Sequence, residues 1–497
     1  MSIFPLKIPP GVVRIGTAGQ SSGRYYDTNL IRWAASVLQP WRGWRKRITM
    51  PVTGAARALL TWNDNDANPW CAIGTHSNIY ALSVAGVLSD ITPSGFVAGV
   101  TDSSVNQGYG GGLYGTGVYG TPRPLTNTPV NATVVSLDTW GEHLVFCSPS
   151  DGKLYEWTLD PMTLPTHITG SPTTCTGALV TAERSLVALA AGGNPRRLQG
   201  SDLQDNTTWT PSDTNQAWIQ DLQTAGSLMR GVQLRDVALY LTDVDAWVSN
   251  YVGPPYVYQF TRGGAGCGLI AKGAIAAVDN RAIWWANGGF WQYDGFVQQI
   301  PCEVFDFVTS NLNKSQRAKI TAHHKAEQGE VTFHYPSAGS TENDAYVSFH
   351  YAETAITGQS CWSLGTLART AGVDKGAFPL PMAVDPSGYI YEHEVGWNYD
   401  GAETYAETGP LQIGNSDQVM LVRAIYPDDR TLGEVSITFN VRDRPDSVDR
   451  AYGPYTLSEQ TFTRFTGRKA RIRFNGTPGS DWRIGAPELD IQAGGRR

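Results

Sequence analysis

Between about residue 55 and residue 400 the chain loosely repeats one arrangement of apolar and polar positions. An apolar run is followed by a short turn of Gly, Asn, Asp or Pro, then by a second run carrying an aromatic side chain. Instances are ALLTWNDNDANPWCAIGTHSNIYALS, HLVFCSPSDGKLYEW, SLVALAAGGNPRRLQGS, VALYLTDVDAWVSNYV, AIWWANGGFWQYDG, EVTFHYPSAGSTENDAYVSFHYA and LPMAVDPSGYIYEHE. Such runs bounded by turn residues read as paired strands. The residues anchoring the strand after each turn are Tyr80, Tyr155, Leu198, Trp247, Trp291, Tyr346 and Tyr391, at intervals of 75, 43, 49, 44, 55 and 45. Most intervals lie near the roughly 40 to 50 residues of a propeller blade. The long one contains the insertion QGYGGGLYGTGVYGTPRP. A blade cannot bury its apolar face alone, so repeated four-stranded units close into a ring that also protects their edges. The pattern predicts an all-β chain with a β-propeller over residues 51–400. Its spacing favours six blades and admits seven, because a terminal blade is often completed by strands from both ends of the propeller. No Trp-Asp or kelch signature recurs.

Residues 401–497 change character, alternating in short strands such as VSITFNVRD and KARIRFNG, each flanked by Gly, Pro, Asp or Asn. They read as a small β-sandwich, a platform beside the propeller. Residues 1–50 form an arm: Pro9, Pro10 and Gly11 enforce an extended start. YDTNLIRWAASVLQP is expected as a short helix, with Asp27 or Thr28 as its cap and Pro40 as its stop. Trp33, Trp41 and Trp44 are expected to dock this arm on the propeller or sandwich. A second helical patch, CEVFDFVTSNLNKSQRAKI, is expected on an inter-blade connection.

Composition agrees with this picture. A chain of 497 residues exceeds one typical core, although a propeller can absorb about 350 residues as one unit. Charged residues make up only 17%, beside 54 Gly, 16 Trp and 22 Tyr, which favours turns and aromatic-rich strands over long helices. The formal net charge of −7 argues against holding nucleic acid through a broad basic face, since such binding relies on Lys and Arg neutralising phosphates. MSIFPLKIPPGVV does not read as an export signal, so synthesis in the cytoplasm is expected. The best apolar run, GLIAKGAIAAV, is interrupted by Lys272 and falls short of the roughly 20 residues of a membrane span. Cys71, Cys147, Cys175, Cys267, Cys302 and Cys361 show no metal or redox spacing and read as free thiols.

Candidate chemistry is sparse. His323 and His324 are adjacent, so on a strand they point to opposite faces and make a poor metal pair. His334, His350 and His393 fall on separate strands. Glu392 and Glu394 could share one strand face, yet paired glycosidase carboxylates need one raised pKa and a separation of roughly 5 to 10 Å in a cleft. Asp243 and Asp245 of TDVDAW, and the Asp-box-like SPSDGKLYEW, fit ordinary turn chemistry. The insertion from Gly108 to Gly120 is no nucleotide loop, because no Lys-Ser or Lys-Thr follows it. Tyr109, Tyr114 and Tyr119 could instead anchor a contact loop toward another subunit. No catalytic residue, metal ligand or cofactor is expected, and the chain reads as other than an enzyme.

Several segments resemble the nozzle proteins of short-tailed bacteriophages, a family also described as packaged-DNA stabilisation or tail accessory proteins. They are PPGVVRIGTAGQSSGRYYDTNLIRWAASVLQPWRGWRKR, ENDAYVSFHYA, SLGTLARTAGVDKGAFPLPMAVDPSGYIYEHEVGWNYDG, ETGPLQIGNSDQVMLVRAIYPDD, YGPYTL, FTGRKARIRF and DWRIGAPELDIQAGGRR, in the family's order. The resemblance is most specific from residue 360 onward, whereas residues 125–260 rest on periodicity. It implies a structural virion protein: a six-membered ring below portal and adaptor that extends the DNA channel, retains the packaged genome and later lets it leave. Implied partners are five further copies, the adaptor or head-completion protein, tail needle, plug or fibre proteins, and double-stranded DNA in transit, without membrane insertion. The implied location is the virion tail. A ring through which DNA slides should avoid strong phosphate contacts, which an acidic chain would do. Subunit or adaptor contacts are expected at Trp33, Trp41, Trp44, Arg468, Arg471, Arg473, Trp482 and Arg483. The basic cluster Arg42, Arg45, Lys46 and Arg47 reads as solvated surface, with a subunit-interface or DNA-facing role as the alternative. The alternative is a receptor- or glycan-binding tail adhesin whose aromatic blade loops stack on sugars.

Overall fold

The computed structural model describes residues 2–105, 129–412, 419–428, 435–444 and 447–494. Tyr109, Tyr114 and Tyr119 of the expected contact loop lie outside the described residues.

The repeat folds as successive four-stranded antiparallel sheets. Among the described residues the ring has seven, the larger of the two counts that the spacing allowed. Blade one runs from Ala56–Asn63 to Leu88–Asp90, blade two from Ser136–Trp140 to Thr166–His167, and blade three from Gly177–Val180 to Trp218–Asp221. Blade four runs from Leu228–Gln233 to Val257–Ala265, blade five from Ile275–Val278 to Val297–Ile300, and blade six from Thr321–Lys325 to Trp362–Thr366. Blade seven takes Ala371–Val373, Met382–Val384 and Ile390–His393 from its own stretch. Its fourth strand is Trp44–Lys46, paired as Tyr391 with Lys46, Glu392 with Arg45 and His393 with Trp44. That borrowed strand closes the ring and removes an open edge. The first strands of blades seven and one lie side by side, as do those of blades six and seven.

Local turn chemistry fixes each hairpin. In SPSDGK, Gly152 sits at φ +71°, and a Cβ there would lie 2.9 Å from the Thr174 backbone, so only glycine fits. Asp151 accepts a hydrogen bond from the Tyr155 hydroxyl at 2.6 Å, tying the turn to the strand it precedes. Between blades the contacts are large apolar side chains: Phe290 of blade five packs on Trp362 of blade six, Trp285 meets the edge of Phe333, and Trp284, Trp285 and Trp362 are fully buried. Each such aromatic removes on the order of 150–250 Å² from water.

The sandwich pairs two sheets. One holds Ser2–Pro5, Glu488–Ala493, Met420–Tyr426 and Thr461–Gly467. The other holds Tyr25–Asn29, Tyr405–Thr408, Lys469–Gly476, Val435–Arg442 and Arg450–Thr456, with Leu411–Gln412 alongside. Burial alternates along Val435–Arg442, so Val435, Ile437, Phe439 and Val441, with Ile472 beside them in the same sheet, face Val422 and Phe465 in one core. That period of two is what a sheet with one wet face requires.

Residues 1–50 are distributed through both units. Ser2–Pro5 and Tyr25–Asn29 belong to the sandwich sheets, whereas Trp44–Lys46 belongs to the propeller. The helix expected over residues 26–40 is absent. In its place stand Tyr25–Asn29 and a hairpin of Ile31–Ala34 with Val37–Pro40. The cause is local: Leu30, Ala35 and Ser36 have φ of 52°, 50° and 66°, which breaks a right-handed helix. Two successive positive φ values are what a tight two-residue hairpin turn needs. The Ser36 N–H donates to Glu353 Oε1 at 2.8 Å, holding that turn against blade six. The second helical patch is present as an α-helix, Phe305–Ser310, and a 3₁₀ turn, Lys314–Lys319, leading from blade five to blade six. All six cysteines are free thiols, buried except for the half-buried Cys302.

Candidate functional site

Several of the residues singled out in the sequence, Trp33, Trp41, Trp44, Glu394, Trp482 and Arg483 among them, meet at the junction of blade seven, the hairpin 31–40 and the sandwich. Four of them cannot serve as contacts in the way expected. Trp33, Trp41, Trp44 and Trp482 are all buried within the chain. Trp41 stacks on Tyr346, Trp33 meets the edge of His350, and Trp44 packs on Tyr399 and donates Nε1–H to Asp400 at 2.7 Å. Trp482 donates to the Thr404 hydroxyl at 3.1 Å. Their expected interface role is corrected: burying an indole in the chain's own core leaves no ring to offer a partner.

The basic cluster follows the pleat of the closing strand. Arg42, Arg45 and Lys46 are exposed at the rim of blade seven, and Arg47 is half-buried. Arg45 and Arg47 both reach Glu392, Arg45 Nε at 2.8 Å. Lys46 Nζ lies 3.6 Å above the Tyr389 ring and Arg42 lies over Trp397. The sandwich arginines sit on the outer face of the larger sheet. Arg471 pairs with Asp449 at 2.5 Å and Glu407 at 3.3 Å. Arg473 pairs with Glu403 at 3.1 Å and lies over Tyr405. Arg483 meets Asp481 at 3.4 Å, and Arg468 is half-buried in the turn before Lys469–Gly476.

Two clefts flank Trp397 here. One, of about 910 Å³, is lined by Trp397, Tyr399, Glu403, Thr438, Arg473 and Asn475. The other, of about 560 Å³, is lined by Arg42, Glu327, Pro379, Trp397, Asp481 and Arg483. Because Arg473 and Arg483 are matched by nearby carboxylates, the clefts present charge of both signs. Such a surface suits a protein contact with alternating charges better than a phosphate backbone.

Beneath the clefts lies a buried ionic cluster. Arg32 Nη1 and Nη2 donate to the two oxygens of Glu394 at 2.8 and 2.7 Å, and Nη2 also reaches Glu330 at 3.0 Å. Lys325 Nζ lies 3.0 Å from both Glu330 and Glu394, and 3.8 Å above the Trp41 ring. Burial alone would raise the Glu394 pKa, but Arg32 and Lys325 outweigh it and hold the carboxyl at about 2. Glu392 is lowered too: Arg45 and Arg47 overcome its burial. Neither carboxyl has the raised pKa of a general acid, so the pair is ionic structure spanning hairpin, blade six and blade seven. Asp243 and Asp245 likewise serve turns. Asp243 accepts the Ser227 N–H at 2.7 Å, and Asp245 accepts from Thr224, Thr242 and Trp247. Among the described residues no cluster of three or more His, Cys, Asp or Glu could hold a metal ion, and no helix is long and apolar enough to cross a membrane.

One contact element was missed by the sequence reading. Blade four ends in a long hairpin, Asp245–Gly253 with Val257–Ala265, where the other blades' outer strands have two to five residues. Its tip exposes Tyr251, Val252 and Tyr256, the last 81% exposed. The signal was the string YVGPPYVY, a Pro-Pro turn between aromatics just beyond the repeat instance that ends at Val252.

No family model matches the chain, and no curated protein matches it. Solved structures match at low identity. Virginiamycin B lyase from Staphylococcus aureus is 8% identical with a TM-score of 0.40, over 70% of this chain and 98% of that one. The Neurospora crassa Pan2 WD40 domain is 7% identical with a TM-score of 0.37, over 72% and 96%. An exo-β-1,3-galactanase from Phanerochaete chrysosporium is 9% identical with a TM-score of 0.31, over 91% and 100%. These are likenesses of fold. They also correct one expectation: matches of this architecture include a lyase and a galactanase, which are enzymes, so the reading of the chain as other than an enzyme is withdrawn.

Proposed function

We propose that this chain is a structural subunit of a short-tailed bacteriophage tail, a nozzle that assembles as a ring of six below the portal and adaptor. It would be made in the host cytoplasm and reside in the virion tail. There it would extend the DNA channel, retain the packaged genome and permit its exit, meeting the adaptor on one side and needle, plug or fibre proteins on the other. The observation that carries this reading is that the segments resembling nozzle sequences, far apart in the chain, are one another's packing partners. Trp44–Lys46 from the first such segment pairs with Ile390–His393. Tyr25–Asn29 pairs with Tyr405–Thr408, and the Leu30 N–H donates to the hydroxyl of Tyr346 in ENDAYVSFHYA at 2.7 Å. The resemblance therefore follows one contiguous body.

A closed ring needs a heterologous contact, with one face of each subunit meeting a different face of the next, and roughly 1,000 Å² or more per contact. The aromatic tip of blade four and the mixed-charge clefts beside Trp397 are two such faces on one chain. Retention would be steric, and the formal charge of −7 disfavours a tight grip on phosphates.

The test adds purified protein to DNA-filled heads that carry portal and adaptor but lack a nozzle, then images the particles and measures DNA leakage. Six copies below the connector with leakage reduced is the expected result. Absence of docking on a competent connector would overturn the proposal.

A further inference from the structure

Below Trp41, at the seam between blades six and seven, the chain leaves a narrow pocket of about 20 Å³ lined by Trp41, His323, His334, Leu367, Arg369 and His393, among others. That is room for one water-sized particle. Its walls are crowded with hydrogen-bond donors. Arg369 is buried on the connection into blade seven, stacked over Tyr391 and Trp44. It donates Nε–H to His393 Nε2 at 2.9 Å and Nη1–H to the Ala368 carbonyl at 2.7 Å, while its Nη2 has no hydrogen-bond partner. His323, also buried, leaves Nε2 without a partner, and its ring lies 4.6 Å from that of His334.

The charge balance is more telling than the geometry. Among the described residues, the other two arginines with under a tenth of their surface exposed each have a carboxylate: Arg32 has Glu330 and Glu394, and Arg57 has Glu342. Among the described residues Arg369 forms no ion pair. Burial pulls its pKa down to about 10 and outweighs Tyr391, Asp385 and Asp400, none of which forms an ion pair with it. The other cation lining the cavity, Lys325, is committed to Glu330 and Glu394. Burial, then Lys325 and Arg369, lower the His323 pKa to about 3, so this imidazole stays neutral and can offer Nε2–H. A buried guanidinium without a counter-charge is expensive, and a water in the cavity would satisfy its donor without neutralising it.

We propose that this cavity is a monatomic-anion site that takes one halide ion, chloride in physiological buffer, bound by Arg369 Nη2–H and His323 Nε2–H. The space excludes polyatomic anions such as phosphate or carboxylate. His323 and His334 belong to blade six, while Arg369 and His393 belong to blade seven and its approach. The ion is therefore a pin across the seam where the ring closes. This inference is independent of the tail assignment.

Bromide-grown crystals, with diffraction recorded at the bromine absorption edge, test it directly. An anomalous peak within hydrogen-bond distance of Arg369 Nη2 and His323 Nε2 is expected. An ordered peak without anomalous signal would be a water and would overturn the proposal, as would an empty cavity. In solution, thermal unfolding at constant ionic strength should depend on bromide or chloride against gluconate, which is too large to enter. Above the dissociation constant, each tenfold rise in halide should multiply the folded-to-unfolded ratio about tenfold. Equal stability in halide and gluconate overturns the site. Arg369→Gln should abolish the halide dependence and His323→Ala should weaken it. Should neither variant fold, the wild-type bromide map still decides.

Discussion

The seam between blades one and two and the seam between blades six and seven perform the same task with opposite chemistry. The first is apolar: Trp62, Ala72, Ile79, Leu144, Phe146 and Trp157 bury one another in a single cluster. The second holds Arg32, Lys325, Glu330 and Glu394 in a buried network, with three imidazoles and Arg369 beside it. Apolar burial is non-directional and tolerates small shifts. A buried ionic network is stable only in one geometry, and removing a single partner strands the others. The ring is thus held by generic packing where the chain runs on continuously. It is held by specific pairing where the strand Trp44–Lys46 must find its place.

Breaking the ionic seam should have the largest effect. Arg32→Ala leaves Glu394 with Lys325 alone and Glu330 with Lys325 and the His350 ring, and should destabilise the fold by about 3–5 kcal/mol in denaturant unfolding. Leu144→Ala at the apolar seam should cost about 3 kcal/mol through transfer and cavity terms, with no change between pH 7 and pH 5. If the two variants behave alike across pH, the contrast between the seams fails. Acidification sharpens it further. The Glu394 pKa is depressed from 4.5 to about 2 in the folded chain. Its contribution is therefore fully present above about pH 4.5 and is lost as the pH falls toward 2. Hydrogen exchange along Trp44–Lys46 should accelerate over that window before exchange in blades one and two does. At the small end, Arg471→Ala removes partly exposed pairs with Asp449 and Glu407 and should cost under about 1 kcal/mol. Reversing charge at both Arg471 and Arg473 should leave the fold intact and abolish docking onto the connector if the sandwich meets the adaptor. Tyr256→Ser on the blade-four tip should change stability by less than about 0.5 kcal/mol, so any loss of ring assembly would report the contact alone.

Much of the propeller was legible. All seven anchors read from the sequence, from Tyr80 to Tyr391, lie on the third strand of their blades. The period was visible because each anchor repeats a local pattern of turn and strand. The blade count was harder, since the fourth strand of blade seven is supplied from 345 residues earlier than Tyr391, at Lys46. The hairpin 31–40 was misread because positive φ at Ala35 and Ser36 is decided by tertiary contacts such as Glu353 with Ser36, and the spacing of apolar residues carries no trace of it. Trp33 and Trp41 pack the arm on His350 and Tyr346 of blade six, and that same burial removes them from any surface a partner could reach. The histidines and Glu394 drew attention one at a time. Their shared setting was invisible, because His323, His334 and His393 meet only when blade seven closes beside blade six. Trp397, which separates the two clefts, drew no notice, since a single aromatic in a loop carries no periodic signal.

The borrowed closing strand also dictates an order of events during synthesis. Trp44–Lys46 leaves the ribosome long before Tyr391–His393 exists. Ser2–Pro5 waits longer still for Glu488–Ile491. While the six intervening blades are made these early strands have no partner, and those blades form beside an unsealed gap. Contacts of such long sequence separation form slowly, and unpaired edges of this kind invite association with other chains. The nascent protein therefore depends on strands from residue 390 onward to quench a stickiness created by its first fifty.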